Sequence, residues 1–104
     1  MKMNLAGQTI EFPDLNFDAA SKLECMGVDL LRTNLANIGY FTLCKAVVAL
    51  AVGTPEVAAE LLETEILDKG IDRLAEIYQT CIDYIGNSDF FTRLLKTKEE
   101  KAKK

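Results

Sequence analysis

Apolar and polar positions change their period along the chain, and each change marks a different kind of element. Met3, Leu5, Ile10 and Phe12 alternate with polar neighbours on either side of Ala6-Gly7, the period of two that a strand with one buried face produces. A glycine in the break supplies the positive φ of a tight turn, and Pro13 stops the second strand. The pattern predicts a short β-hairpin over 1–13. Two strands alone are marginal in water, so this hairpin has to lean on the rest of the chain or pair with another copy.

From Asn16 onward the period becomes three and four. Asn16 can cap a helix over 17–26 that gathers Phe17, Ala19, Ala20, Leu23 and Met26, with Gly27 as its left-handed stop. Asp29 can cap a shorter helix through Leu30, Leu31 and Leu35. From Ile38 to Val52 nearly every position is apolar, so this helix has no clear solvent face and reads as the centre of a bundle. Thr54-Pro55 opens the next, a hydroxyl cap followed by proline where its missing N–H costs nothing. That helix is expected to bury Val57, Ala58, Leu61, Leu62 and Ile66, to expose Glu60, Glu63 and Glu65, and to end at Gly70. Ile71, Leu74, Ala75, Tyr78, Cys81, Ile82 and Ile85 then form the cleanest amphipathic pattern, closed by Gly86. Ser88 caps a last helix with Phe90, Phe91, Leu94 and Leu95. The expectation is a mainly α protein: a small bundle of five to six helices with a short N-terminal β-hairpin, in one domain over 1–104. Its helical core spans 16–95 and a basic, flexible tail follows over 96–104.

Charge and cysteine content narrow the function. The net charge is −4, but residues 93–104 carry six basic and two acidic side chains, which leaves −8 on residues 1–92. An acidic body repels phosphate backbones, and the basic end has no aromatic residue on which a base could stack, so nucleic acid is not an expected partner. The apolar run Tyr40–Val52 is 13 residues long and interrupted by Thr42 and Lys45, which argues against a membrane span. Cys25, Cys44 and Cys81 are far apart and odd in number, as expected of reduced, buried thiols and not of a disulfide framework or zinc site. No apolar signal core opens the chain, so a cytoplasmic location is expected.

Catalytic equipment is sparse. There is no histidine, which removes the commonest general base and the imidazole metal ligand. Glu60, Glu63 and Asp68 could gather as an acid pair for metal-dependent or glycosidic chemistry, but nothing apolar or glycine-rich encloses them, and a solvated helix face is the simpler reading. No phosphate-binding glycine loop occurs. The chain is therefore read as a non-enzyme without cofactor, and what remains is apolar surface. A domain this small cannot hide every apolar side chain in Tyr40–Val52 and in 90–95. Tyr40, Phe41, Val48, Val52, Phe90, Phe91, Leu94 and Leu95 are the candidates for binding a partner, with plain core packing as the competing reading. The hairpin edge at Gln8, Ile10 and Phe12 is the candidate for self-association.

The order of elements resembles the tail assembly chaperones of long-tailed bacteriophages and prophages. The resemblance covers most of the chain: the hairpin Leu5 to Phe12, the helix NFDAASKLECMGVDLL at 16–31, the apolar helix at 38–52, the start TPEVAAELLE at 54–63, and the long helix at 71–86. It implies a non-catalytic protein in the cytoplasm of a bacterial host that binds the tape measure protein, keeps it soluble and helps recruit tail tube subunits, and that self-associates into a homo-oligomer. A helical protein–protein adaptor or regulatory subunit unrelated to phage tails is the competing class.

Overall fold

A computed structural model describes residues 2–29 and 37–93. The chain opens with strands β1 (Lys2–Leu5) and β2 (Gln8–Glu11), continues through helices α1 (Phe17–Cys25), α2 (Tyr40–Val52), α3 (Pro55–Lys69) and α4 (Ile71–Gly86), and enters a fifth helix, α5, at 89–93. This is the mainly α architecture expected, with the hairpin in place. The short helix expected from Asp29 to Leu35 falls largely outside the described residues, as do Leu94, Leu95 and the basic segment that follows.

Local signals set most boundaries. The side-chain oxygens of Asn16, Thr54 and Ser88 accept hydrogen bonds from the backbone N–H groups of Ala19, Val57 and Phe91, at 2.9, 3.2 and 3.0 Å, satisfying donors that a helix start otherwise leaves open. At the end of α1, Gly27 adopts φ +96°. Its N–H donates to the Glu24 carbonyl while the Val28 N–H donates to that of Leu23. This is the paired closure in which a glycine lets the chain reverse and drops the next apolar residue onto the helix. Val28 and Leu23 are both fully buried. α2 begins at Tyr40, two residues later than the apolar run predicts, because Gly39 is extended and supplies no side-chain cap.

α2 is the hub. It packs against α1, α3, α4 and β2, and Leu43, Ala46, Val47 and Val48 have no solvent exposure. α3 leaves it at an angle of 116°, and α4 returns along both. The hairpin pairs Lys2 with Glu11, Met3 with Ile10, Asn4 with Thr9 and Leu5 with Gln8, antiparallel. Its inner face, Met3, Leu5 and Ile10, joins Phe12 in the same core as the helices. β1 lies along α3 and β2 along α2, so the marginal hairpin is stabilised by burial.

Several side chains depart from the expected faces. The buried stripe of α3 is Ala58, Leu61, Leu62 and Glu65; Val57, about 100° around the helix from Ala58, is exposed. In α4 the stripe is broader than expected and includes Ile77 and Tyr84, while Ile71 and Ala75 are exposed. Phe17 stands about 200° from Ala19 on α1 and is 78% exposed. Cys44 and Cys81 are buried, but Cys25 is exposed, which corrects the expectation of three buried thiols.

Candidate functional site

The expected surface is only partly a surface. Val48 is fully buried and Phe91 nearly so, because both lie on the inward stripes of their helices; they belong to the core. Val52 is half-buried against that core. Tyr40 and Phe41, in the first turn of α2, are 43% and 74% exposed. Tyr40 is steadied by Tyr78, whose ring stacks on it with centroids 4.0 Å apart and whose hydroxyl donates to the Ile38 carbonyl at 3.3 Å. Burial, followed by the neighbouring Tyr40 and Cys44, pushes the Tyr78 hydroxyl above its ordinary pKa, so it stays a neutral donor. Phe41 has no such cover and projects into solvent.

Phe90 is half-buried and borders a groove of about 670 Å³ between the hairpin exit and the α4–α5 elbow. Pro13, Asp14, Tyr84, Asp89 and Arg93 also line it, and Phe12 closes its floor. The Phe12 and Tyr84 rings meet at 5.1 Å and the Tyr84 hydroxyl donates to the Pro13 carbonyl. Burial and then the nearby Asp14 push Tyr84 up to about 12. Phe12 and Phe90, far apart in sequence, are thus brought to one groove, whereas Phe41 lies on a different element. A second, smaller groove of about 350 Å³ lies between α1 and the end of α2, with Cys25, Met26, Ala49 and Leu50 on its walls.

Ile10 and Phe12 face inward and are 6% and 5% exposed, so of the three residues expected at the self-association edge only Gln8 is exposed. What the edge offers is backbone. Two groups that the sequence reading placed in water or overlooked lie at the other side of the hairpin. Glu65, expected on the solvent face of α3, is 3% exposed. Its Oε1 accepts from the Ala6 N–H at 3.2 Å, and its Oε2 accepts from Arg73 Nε at 2.7 Å and from Lys69 Nζ at 3.1 Å. Arg73 Nη2 donates in turn to the Asn4 carbonyl at 2.8 Å. Burial pushes the Glu65 carboxyl up, but the bonds from Arg73, Lys69 and the Ala6 N–H outweigh it and hold the pKa below the ordinary glutamate range. This latch also accounts for Ala6, a non-glycine residue at φ +50°: the buried carboxylate fixes its N–H in a left-handed turn that alanine otherwise disfavours.

Among the described residues no group of three or more His, Cys, Asp or Glu side chains converges to hold a metal ion. Cys44 and Cys81 are both buried in the core, and the hydrogen bond between the two thiols, followed by burial, pushes the Cys81 thiol above its ordinary pKa. No single helix among the described residues is long and apolar enough to cross a membrane. No known protein family, curated protein or solved structure matches the chain.

Proposed function

We propose that this chain is a non-catalytic tail assembly chaperone that binds the tape measure protein in the cytoplasm of a bacterial host and helps recruit tail tube subunits. The reading rests on the family resemblance in element order. The observation that carries it furthest is the exposure of Phe41, Phe17, Leu67 and Ile71, each between 74% and 79% exposed, on a body whose first 92 residues hold a charge of −8. Large apolar side chains standing in solvent can cover the apolar stripes of a long helical partner, while like charge keeps the loaded proteins apart. Neither a nucleic acid nor a membrane is needed as a partner.

Co-expression with the protein encoded immediately downstream tests the proposal by solubility and pull-down. A long helical protein that becomes soluble only in the presence of this chain supports it. A downstream protein that is soluble alone and does not bind sinks it, and leaves the helical adaptor as the better description.

A further inference from the structure

α3 and α4 carry one basic side chain each, Lys69 and Arg73, and Glu65 engages both beside the hairpin, at 3.1 and 2.7 Å. The charge left on the outer side of the two helices is acidic. Glu60, Glu63, Asp68 and Asp72 are exposed, and among the described residues no ion pair reaches any of them. Leu67 and Ile71, 79% and 74% exposed, stand at the corner where α3 passes through Gly70 into α4. Glu63 and Glu60 precede Leu67 by four and seven residues, which at about 100° per residue sets both within about 40° of it around α3. Asp68 and Asp72 directly follow Leu67 and Ile71. Phe17 and Phe41 have different surroundings. Asp18, next to Phe17, is paired with Lys22, and one turn after Phe41 an exposed lysine, Lys45, follows.

We propose that this corner is the docking face for a cationic amphipathic helix of a partner protein. Leu67 and Ile71 take the apolar stripe of that helix, and Glu60, Glu63, Asp68 and Asp72 take the lysines or arginines that flank the stripe. Charge complementarity selects this occupant. Carboxylates crowded on one face repel one another, and a cation placed among them relieves that repulsion as well as adding its own attraction. Lysine and arginine suit the site because their stems lie along apolar surface while the charged head reaches outward. An apolar helix without basic flanks would strip water from carboxylates that it cannot pair, and an acidic one is rejected outright. The body of a second copy, with −8 on its residues 1–92, is repelled in the same way. The inference deepens the proposed function and rests on it only for the identity of the partner: the stripe recognised is one with basic flanks. Whether the face binds such a helix is decided by this chain alone.

Fluorescence anisotropy on the full chain tests the face, with a labelled synthetic amphipathic helix of leucine and lysine and a twin in which every lysine is glutamate. The expected result is that the lysine helix binds, that added salt weakens it, and that the glutamate twin does not bind. Leu67→Ser should weaken binding about tenfold. Glu60→Lys combined with Glu63→Lys should exchange the preference, releasing the lysine helix and taking up the glutamate one. All three positions are exposed, so the variants should melt with the parent. A parent chain that binds neither helix overturns the proposal. Equal binding by the parent and Leu67→Ser shows attraction by net charge alone and overturns it too. Uptake of the lysine helix only after Lys101→Gln, Lys103→Gln and Lys104→Gln makes the chain's own basic end the occupant and overturns the foreign helix. These outcomes are separate from those of co-expression: a downstream protein that does not bind removes the tape measure reading and leaves the face, whereas failed peptide binding leaves the chaperone reading to rest on Phe41.

Discussion

The hairpin is tied to the helices at two places, and the two ties use different physics. On the β1 side a buried carboxylate, Glu65, gathers the Ala6 N–H, Arg73 and Lys69. At the exit of β2, Phe12 is packed against Tyr84, whose hydroxyl takes the Pro13 carbonyl. The first tie is directional and charged. It fixes the turn and occupies one sheet edge, and its worth depends on protonation. The second is mostly apolar area with one polar handle, so it contributes more stability and is indifferent to pH across the neutral range. The charged tie also covers the β1 edge of the hairpin, because Arg73, held by Glu65, reaches the outward Asn4 carbonyl.

The largest effect should come from the apolar tie. Phe12→Ala removes a side chain that is 5% exposed and should cost about 3 kcal/mol in urea unfolding, from lost transfer energy and the cavity left behind. Glu65→Ala should cost about 2 kcal/mol, because it leaves Arg73, whose side chain is 20% exposed, and the Ala6 N–H without their acceptor. A loss at Glu65 larger than at Phe12 would reverse the ranking. Lys69 is half in solvent, so Lys69→Ala should stay within about 0.5 kcal/mol of the parent.

The two ties should also fail at opposite ends of the pH scale. The folded pKa of Glu65 is depressed, so its contribution is complete above the unfolded value of about 4.3 and is lost as pH falls through the lower folded value. The pKa of Tyr84 is raised to about 12, so its contribution is complete below the unfolded value of about 10 and is lost as pH climbs towards the folded one. Stability curves against pH for Glu65→Gln and Tyr84→Phe should flatten the acid and the alkaline limb respectively. An acid limb unchanged in Glu65→Gln would show that the latch carboxylate does not drive it. The smallest effect is a gain: Ala6→Gly relieves the left-handed backbone and should stabilise the chain by about 0.5 kcal/mol, the relief exceeding the entropy that glycine adds to the unfolded state.

How legible each tie was follows from the range of its contacts. Ser88, Asn16 and Thr54 act within three residues of themselves, so their caps could be read directly from the chain. The spacing of Leu74, Tyr78, Cys81 and Ile85 identified the inward face of α4, although Ile71 fits the same spacing and stands in solvent at the corner. The latch was hidden because a glutamate in a helix that also carries Glu60 and Glu63 looks like those exposed neighbours, and its partners Arg73 and Ala6 lie 8 and 59 residues away. Its one local trace is that Glu65 falls four residues after Leu61 and three after Leu62, on the buried stripe and not opposite it. Phe41 was legible as a candidate but not as a surface, since in a helix apolar all round only the packed fold decides which side remains open.

That open side is the heart of the functional proposal, and Phe41→Ser is its most direct test, with co-expression of the downstream protein as the readout. Phe41 is 74% exposed, so the substitution should leave the melting temperature within a few degrees of the parent. The proposal predicts that the variant stays folded while the soluble yield of the partner falls sharply. A folded Phe41→Ser that solubilises the partner as well as the parent does would contradict it.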